Sequence, residues 1–153
     1  MNELVNVNNG EFSMVEKVER TEENFVAQLT DVKNIAFCSM NAKTIEEKTQ
    51  LFNAMNNPSK SIKECVNMEI KVKDVFVEVV NCINEETGES KECPRIVLID
   101  ENGEGYTAVS IGVFSSLKKI FQVFGFPTWK TPITIIPKVI SKGTRQITTL
   151  SVK

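Results

Sequence analysis

The chain contains no histidine, which limits the chemistry available to it. Histidine is the commonest general base, and without it neither a Ser–His nor a Cys–His nucleophile pair can form. The sequence also lacks a GxGxxG pattern and a P-loop. Enzymes can work without histidine, but no residues of this chain form a catalytic pattern. We therefore expect no enzymatic activity, no catalytic residues and no cofactor.

Paired cysteines are lacking as well. The four cysteines stand singly, with no CxxC pair: Cys38, Cys65, Cys82 and Cys93. Zinc sites usually draw their ligands from closely spaced pairs, which histidine often completes. Single cysteines in a cytosolic protein are ordinarily reduced. The sequence therefore predicts four free thiols and no metal site.

Long hydrophobic runs are absent. No apolar run approaches the roughly 20 residues that span a bilayer. Residues 1–10 are polar and lack the basic-then-apolar order of a secretory signal. The 153 residues are 41% hydrophobic and 25% charged, which is ordinary for a globular protein. We expect a cytoplasmic protein without a membrane partner.

Acidic residues are missing from the last third of the chain. Glu104 is the last of them, and residues 105–153 contain six lysines and one arginine. Because the whole chain carries a formal net charge of −2, the first two thirds are strongly acidic. Such segregation often marks a face that binds a polyanion, although a solvated surface without carboxylates is the alternative.

A mobile arm and a helix-containing extension are predicted to precede the main β body. Residues 1–30 have many Glu and Asn and few periodic apolar positions, which predicts a mobile arm. The predicted domain occupies residues 31–153. It opens with an apolar patch at residues 35–38, which we interpret as a short strand. Residues 44–55 are predicted to form a helix, because they begin with the T-x-x-E spacing of a capping box.

The body of the chain has the pattern of five strands and one helix. Val, Ile and Phe enrichment predicts the strands, and apolar residues at helical spacing predict the helix. The predicted strands are residues 68–83, 94–99, 106–109, 133–140 and 146–152, with the helix at 110–124. An OB-fold has this order, since it is a five-stranded Greek-key barrel with one helix between strands three and four. We predict a mainly β protein with an OB-type barrel and an N-terminal, helix-containing extension.

Single residues add detail to this prediction. The apolar phase of the first strand slips near Asp74, which predicts a bulge that bends the strand. Pro137 predicts an edge or a bulge in the fourth strand, because proline cannot donate a ladder hydrogen bond. The helix phenylalanines Phe114, Phe121 and Phe124 follow one face and are predicted to lie in the core.

Basic and aromatic residues together indicate a binding surface. Single-stranded nucleic acid is bound by cations along its backbone and by aromatic rings that stack on its bases. OB-folds bind oligonucleotides on the second and third strands and their flanking loops. The candidate DNA-binding residues are Lys71, Lys73, Phe76, Arg95, Tyr106, Trp129, Lys130, Lys142 and Arg145.

Each candidate also has a structural interpretation. Trp129 either stacks on a base or caps the bottom of the barrel. Phe76 stacks only if the slip near Asp74 turns its ring away from the core. Binding is favoured over the core for Tyr106, because a buried tyrosine must also satisfy its hydroxyl. The basic residues either contact phosphates or are solvated strand residues.

Six short blocks of the chain carry a family resemblance. They are residues 51–58 (LFNAMNNP), 72–80 (VKDVFVEVV), 95–100 (RIVLID), 112–114 (GVF), 117–120 (LKKI) and 127–129 (PTW). Together they resemble single-stranded DNA-binding proteins encoded by bacteriophages of Gram-positive bacteria. The resemblance implies an OB-type fold, replication of mobile-element DNA, no catalytic activity and a location in the host cytoplasm.

The leading hypothesis is sequence-tolerant binding of single-stranded DNA in replication or recombination, with replication or recombination proteins as further candidate partners. An alternative is a protein-interaction module, such as a phage-encoded inhibitor or regulator of a host enzyme. A third hypothesis, RNA binding, differs in whether the 2′-hydroxyl is read. Only a strand-binding protein should show a minimum oligonucleotide length.

Overall fold

A computed structural model of the chain describes residues 36–153. The predicted arm at residues 1–30 lies outside the described residues, as does Ile35 at the start of the first predicted strand. Within the described part, seven strands form one curled, mixed sheet, accompanied by two α-helices and one short 3-10 helix. The prediction of a mainly β protein is therefore confirmed.

The first elements agree with the capping pattern of the sequence. Strand β1 (Ala36–Cys38) is followed by helix α1 (Ile45–Asn56). The Thr44 side chain accepts a hydrogen bond from the Glu47 N–H, and Glu47 accepts one in return from the Thr44 N–H. This capping box satisfies two backbone donors that a helix start leaves without partners. The short strand β2 (Lys60–Ser61) and a 3-10 helix (Ile62–Cys65) follow.

The body contains every strand that the sequence predicted, with longer bounds at several ends. The elements are β3 (Ile70–Ile83), β4 (Ser90–Asp100), β5 (Gly105–Val109), α2 (Ile111–Phe124), β6 (Ile133–Lys142) and β7 (Arg145–Val152). Strand β2, which pairs in parallel with β5, was not predicted. Its two residues are too few to produce a detectable alternation of apolar and polar side chains.

The long strand β3 organises the sheet. The strand order is β2-β5-β4-β3-β6-β7. One edge of β3 pairs with β4, while the other is shared by β6 at Ile70–Val72 and by β1 near Val77. The register with β4 shifts between Val72 and Asp74, so the predicted bulge is confirmed. Because of the bulge, β3 can bend and pair with different strands along its length.

The main core lies on the concave side of the sheet. Its fully buried members are Ile62, Val72, Val75, Ile96, Leu98, Val113 and Ile135. Helix α2 packs against this core through Val113, Leu117 and Ile120. At the start of α2, a Cβ on Gly112 would meet the carbonyl oxygen of Thr148, so this close approach of the helix to β7 requires glycine.

Two residue-level predictions have different outcomes. Pro137 lies in β6 beyond the last pair with β3 and is paired only with Leu150 of β7, so the edge-like position predicted for it is confirmed. The prediction of a core position was wrong for Phe124, whose side chain is 48% exposed. Phe124 is the last residue of α2, and the helix packing ends one turn earlier at Phe121. Neither α1 nor α2 is long and apolar enough to cross a membrane.

Candidate nucleic-acid interface

Helix α1 covers part of the convex face of the sheet. Phe76, Val97 and Ile99 form a second buried cluster with Ala54 of this helix. The contact is close, because a Cβ on Gly105 of β5 would lie 2.6 Å from the Ala54 carbonyl oxygen. We expected an oligonucleotide to bind on the predicted second and third strands, which are β4 and β5. Helix α1 thus occupies part of the outer surface of these strands.

Phe76 and Arg95 take structural positions on this covered face. The slip at the bulge does turn the Phe76 ring away from the main core, but α1 buries it to 5% exposure. The Arg95 guanidinium bonds the Glu78 carboxylate at 2.9 Å and the Met55 carbonyl oxygen at 2.6 Å. Arg95 therefore connects the sheet to the C-terminal end of α1, where a cation also favours the helix dipole. Their predicted DNA contacts would require α1 to move.

Tyr106 faces the main core rather than the convex surface. It lies opposite Leu98 in the β4–β5 ladder and packs against the main cluster. Its hydroxyl donates to the Asp100 carboxylate at 3.0 Å, which satisfies the group that made burial costly. The same carboxylate accepts from the N–H groups of Asn102 and Glu104, so it also organises the hairpin turn. This geometry favours a structural role for the ring.

The ionisation of Tyr106 provides a test of this environment. Burial, the hydrogen bond to Asp100 and the charge of that carboxylate raise the pKa of Tyr106 from 10 to about 12. Because it is the single tyrosine of the chain, ultraviolet difference absorbance reports its titration alone. We expect the midpoint near 12 in the wild type and a lower midpoint in Asp100→Asn. A wild-type midpoint at the ordinary value would contradict the buried hydrogen bond.

The same pKa shift makes stability depend on pH. The unfolded tyrosine ionises near pH 10, at about its ordinary pKa. The folded group holds its proton up to about 12. The unfolded state therefore loses the proton first, and this contribution to the free energy of unfolding is complete below pH 10 and declines through about pH 12.

The loop after α2 is anchored by Trp129. Its indole is 7% exposed, its Nε1 donates to the Gly125 carbonyl oxygen at 3.2 Å, and it packs on Phe121 with ring centroids 6.0 Å apart. Its backbone N–H donates to the Lys73 carbonyl oxygen at 3.0 Å. Of the two interpretations of Trp129, the geometry favours the cap on the core.

A buried carboxylate holds the other side of this loop. Asp74, at the bulge of β3, is 6% exposed. It accepts hydrogen bonds from the Thr128 hydroxyl and, at 2.8 Å, from the Ser39 hydroxyl. Both hydroxyls donate to the same Asp74 oxygen, Oδ1, and these bonds connect the loop to β3 and to the end of β1. The loop is thereby fixed on the bulge.

Phe126 is displayed by this fixed loop. Phe126 is 70% exposed. The centroid of its ring lies 5.3 Å from the centroid of the Phe121 ring and 5.9 Å from the centroid of the Phe37 ring. The ring thus packs at tilted angles, 40° and 55°, against two aromatic neighbours while most of it stays exposed. Trp129 was a candidate for stacking from the sequence, with a cap on the barrel as its alternative, whereas Phe126 was not a candidate. Sequence alone does not indicate which ring is anchored.

Three of the predicted basic residues are exposed on β3 and at the end of the loop that carries Phe126. Lys71 and Lys73 are exposed on β3, and Lys130 is exposed immediately after Trp129. The hydrogen bond from the Trp129 N–H to the Lys73 carbonyl oxygen brings Lys130 next to Lys73. We call Lys71, Lys73, Phe126 and Lys130 the loop surface. It combines an exposed ring with cations, which is what stacking on bases and pairing with phosphates requires.

The remaining two candidates lie elsewhere. Lys142 and Arg145 face one another across the turn that joins β6 and β7, and both are exposed. Strand β6 pairs with β3 only from Ile133 to Ile135, and the hairpin continues past that ladder. The structure therefore does not bring these two residues into the loop surface.

A curled, mainly β domain that displays an exposed aromatic ring on a loop, together with exposed lysines on that loop and on the adjoining strand, is typical of proteins that bind single-stranded nucleic acid. The chain belongs to the phage single-stranded DNA-binding protein family, whose model matches residues 30–153. This confirms the resemblance carried by the six sequence blocks. The family is one of DNA-binding proteins and not of enzymes.

The chain is also similar to the single-stranded DNA-binding protein of Bacillus phage GA-1. The two sequences are 30% identical over an alignment of 102 residues, and the alignment covers 63% of this chain and 60% of the relative. The chain thus spans about 60% of the length of the curated relative it matches. No solved structure matches the chain significantly.

Proposed function

We propose that this protein binds single-stranded DNA without strong sequence preference, in the replication or recombination of a phage or mobile element, within the host cytoplasm. The observation that carries the proposal is the loop surface, on which Phe126 is 70% exposed and the loop and the adjoining strand β3 carry exposed lysines. Membership of the family supports it. An aromatic ring that stacks on bases does not discriminate between them, because every base has a π-face.

The fold proposed with this function is an OB-type barrel in a domain at residues 31–153, preceded by an arm at 1–30. The order β3, β4, β5, α2, β6, β7 supports it, since the helix lies in the expected position. Within residues 36–153, β5 and β7 do not pair; β2 occupies the edge of β5, and α2 packs beside β7. OB barrels are partly open, and this arrangement accords with one.

The proposed contacts are electrostatic and aromatic, which predicts a salt dependence. Fluorescence anisotropy of labelled oligothymidine should show saturable binding that weakens as salt is raised, since phosphate contacts release counterions. Lys71→Ala combined with Lys73→Ala should lower the slope of log K against log salt by about two. Lys60→Ala, an exposed lysine on β2, is the matched control and should leave the slope unchanged.

Competitors separate this proposal from the alternatives. Unlabelled duplex DNA should compete more weakly than oligothymidine, and oligouridine of equal length tests whether the 2′-hydroxyl is read. The absence of binding to any oligothymidine at low salt, by anisotropy and by gel shift, would refute the proposal. That result would favour the protein-interaction module, in which replication or recombination proteins or a host enzyme would be the partner.

A further inference from the structure

The distal parts of the two long hairpins of the sheet carry opposite charge. The distal β3–β4 hairpin, residues 83–92, contains four glutamates and one lysine. The distal β6–β7 hairpin, residues 138–147, contains two lysines, one arginine and no acidic residue. We call these the acidic hairpin and the basic hairpin. Each projects beyond the strands that pair with the centre of β3.

The hairpins lie at opposite ends of β3. Strand β6 pairs antiparallel with β3 near Ile70 and then runs away from it toward the basic hairpin. The acidic hairpin begins at the other end, where β3 finishes at Ile83. The path along β3 between these ends is roughly 40 Å, at about 3.3 Å per residue. The domain therefore has an acidic end and a basic end.

Exposed aliphatic side chains accompany the charges at both ends. Ile83 in the acidic hairpin is 69% exposed, and Val139 and Ile140 in the basic hairpin are 43% and 42% exposed. A single exposed isoleucine is unremarkable, but here each end combines apolar surface with charge of one sign. The two ends therefore have opposite charge, and each also offers apolar surface that the other can cover.

Within residues 36–153, Lys138 of the basic hairpin donates a hydrogen bond to the Asn67 side-chain oxygen at 3.0 Å, but no ion pair involves either hairpin. The ion pairs of this part of the chain are Arg95–Glu78 and Lys153–Glu69. The glutamates of the acidic hairpin are exposed, as are Lys142 and Arg145. These side chains are positioned for a partner that approaches from the end of the molecule.

We propose that the acidic hairpin of one molecule contacts the basic hairpin of the next, so that copies assemble head to tail on a DNA strand. This inference rests on the proposed function. A head-to-tail contact that does not close generates an open, linear assembly, which suits a linear ligand. The strand holds neighbouring copies at high effective concentration, so a contact too weak to form dimers in solution acts on the DNA.

The expected strength follows from exposed ion pairs. Each such pair changes an equilibrium constant by about 1.4- to 5-fold, so three pairs give a neighbour-dependent gain on the order of tenfold. The quantity to measure is the ratio of the per-site affinity for long oligothymidine to the affinity for an oligonucleotide that holds one molecule. This ratio isolates the contact between neighbours from direct DNA binding.

Charge-reversed variants test the contact. In the acidic-end variant (Glu85→Lys, Glu86→Lys, Glu89→Lys) we expect the ratio to fall on the order of tenfold, while one-site binding is kept or improved. In the basic-end variant (Lys142→Glu, Arg145→Glu) the ratio should fall as well. Combining the two sets restores opposite charge at the two ends, so the ratio should recover. The control Glu46→Lys, Glu64→Lys, Glu101→Lys alters charge equally on exposed residues outside the hairpins and should retain the ratio.

Zero-length carbodiimide coupling on long oligothymidine shows which molecules are joined. Links between the two hairpins should appear in dimers and higher multimers. Links confined to monomers would mean that the hairpins close on one another within one molecule, and this would overturn the proposal. An unchanged ratio in the acidic-end variant, or no recovery in the combined variant, would also overturn it while leaving one-site binding intact. Loss of all binding by the wild type would instead refute the proposed function.

Discussion

Replacing Phe126 by alanine is expected to weaken the binding of oligothymidine by roughly 5- to 150-fold, because stacking contributes about 1–3 kcal/mol per base. Stability should change little, since the side chain is 70% exposed. Fluorescence anisotropy with labelled oligothymidine measures the affinity, and urea denaturation measures the free energy of unfolding. Phe126→Trp should keep most of the affinity, because the larger ring still stacks.

The matched control for this variant is Phe52→Ala. Phe52 is also an exposed phenylalanine, at 59%, but it lies on α1 and outside the loop surface. Its replacement should leave the affinity unchanged. If Phe126→Ala binds as tightly as the wild type, or if Phe52→Ala shows the larger loss, then the bases stack elsewhere and the loop surface is not the site.

Replacing Trp129 by alanine is expected to lower the free energy of unfolding by about 3–5 kcal/mol, the usual cost of removing a buried aromatic side chain. The indole is 7% exposed, packs on Phe121 and bonds the Gly125 carbonyl oxygen. Far-UV circular dichroism during urea denaturation measures this loss without relying on the single tryptophan. Trp129→Ala should therefore lower stability, whereas Phe126→Ala should lower affinity and leave stability nearly unchanged.

The conservative variant Trp129→Phe separates packing from DNA contact. It keeps an aromatic ring in the core but loses the Nε1 hydrogen bond, so stability should fall by about 1 kcal/mol. Affinity for oligothymidine should stay close to that of the wild type if the residue is a cap. A tenfold or larger loss of affinity in this folded variant, about 1.4 kcal/mol, would restore Trp129 as a stacking residue.

Local features could be predicted well from the sequence because neighbouring residues produce them. The capping box of Thr44 and Glu47 depends on three consecutive peptide units. The slip of apolar phase at Asp74 likewise indicated the bulge directly. Each signal is contained within a few residues, so no knowledge of distant contacts was needed.

The candidate site was harder to predict, since burial of an aromatic ring depends on distant elements. Phe76 and Arg95 are covered by α1, whose position depends on the close approach of Ala54 to Gly105. Tyr106 faces inward because its register partner Leu98 does, and Asp100 satisfies its hydroxyl. In the loop after α2, hydrogen bonds to β3 anchor Trp129 and leave Phe126 exposed.

The sequence by itself determined the order of the two helices and of every strand except β2, the charge that each hairpin carries and the family resemblance. These follow from composition and spacing along the chain, which are the same in any conformation. Only the tertiary structure decided which aromatic ring is exposed, which face of the sheet α1 covers and that the charged hairpins lie at opposite ends of β3. Those properties arise from contacts between residues that are distant in sequence. The pattern of residues along the chain does not indicate which of these residues come into contact.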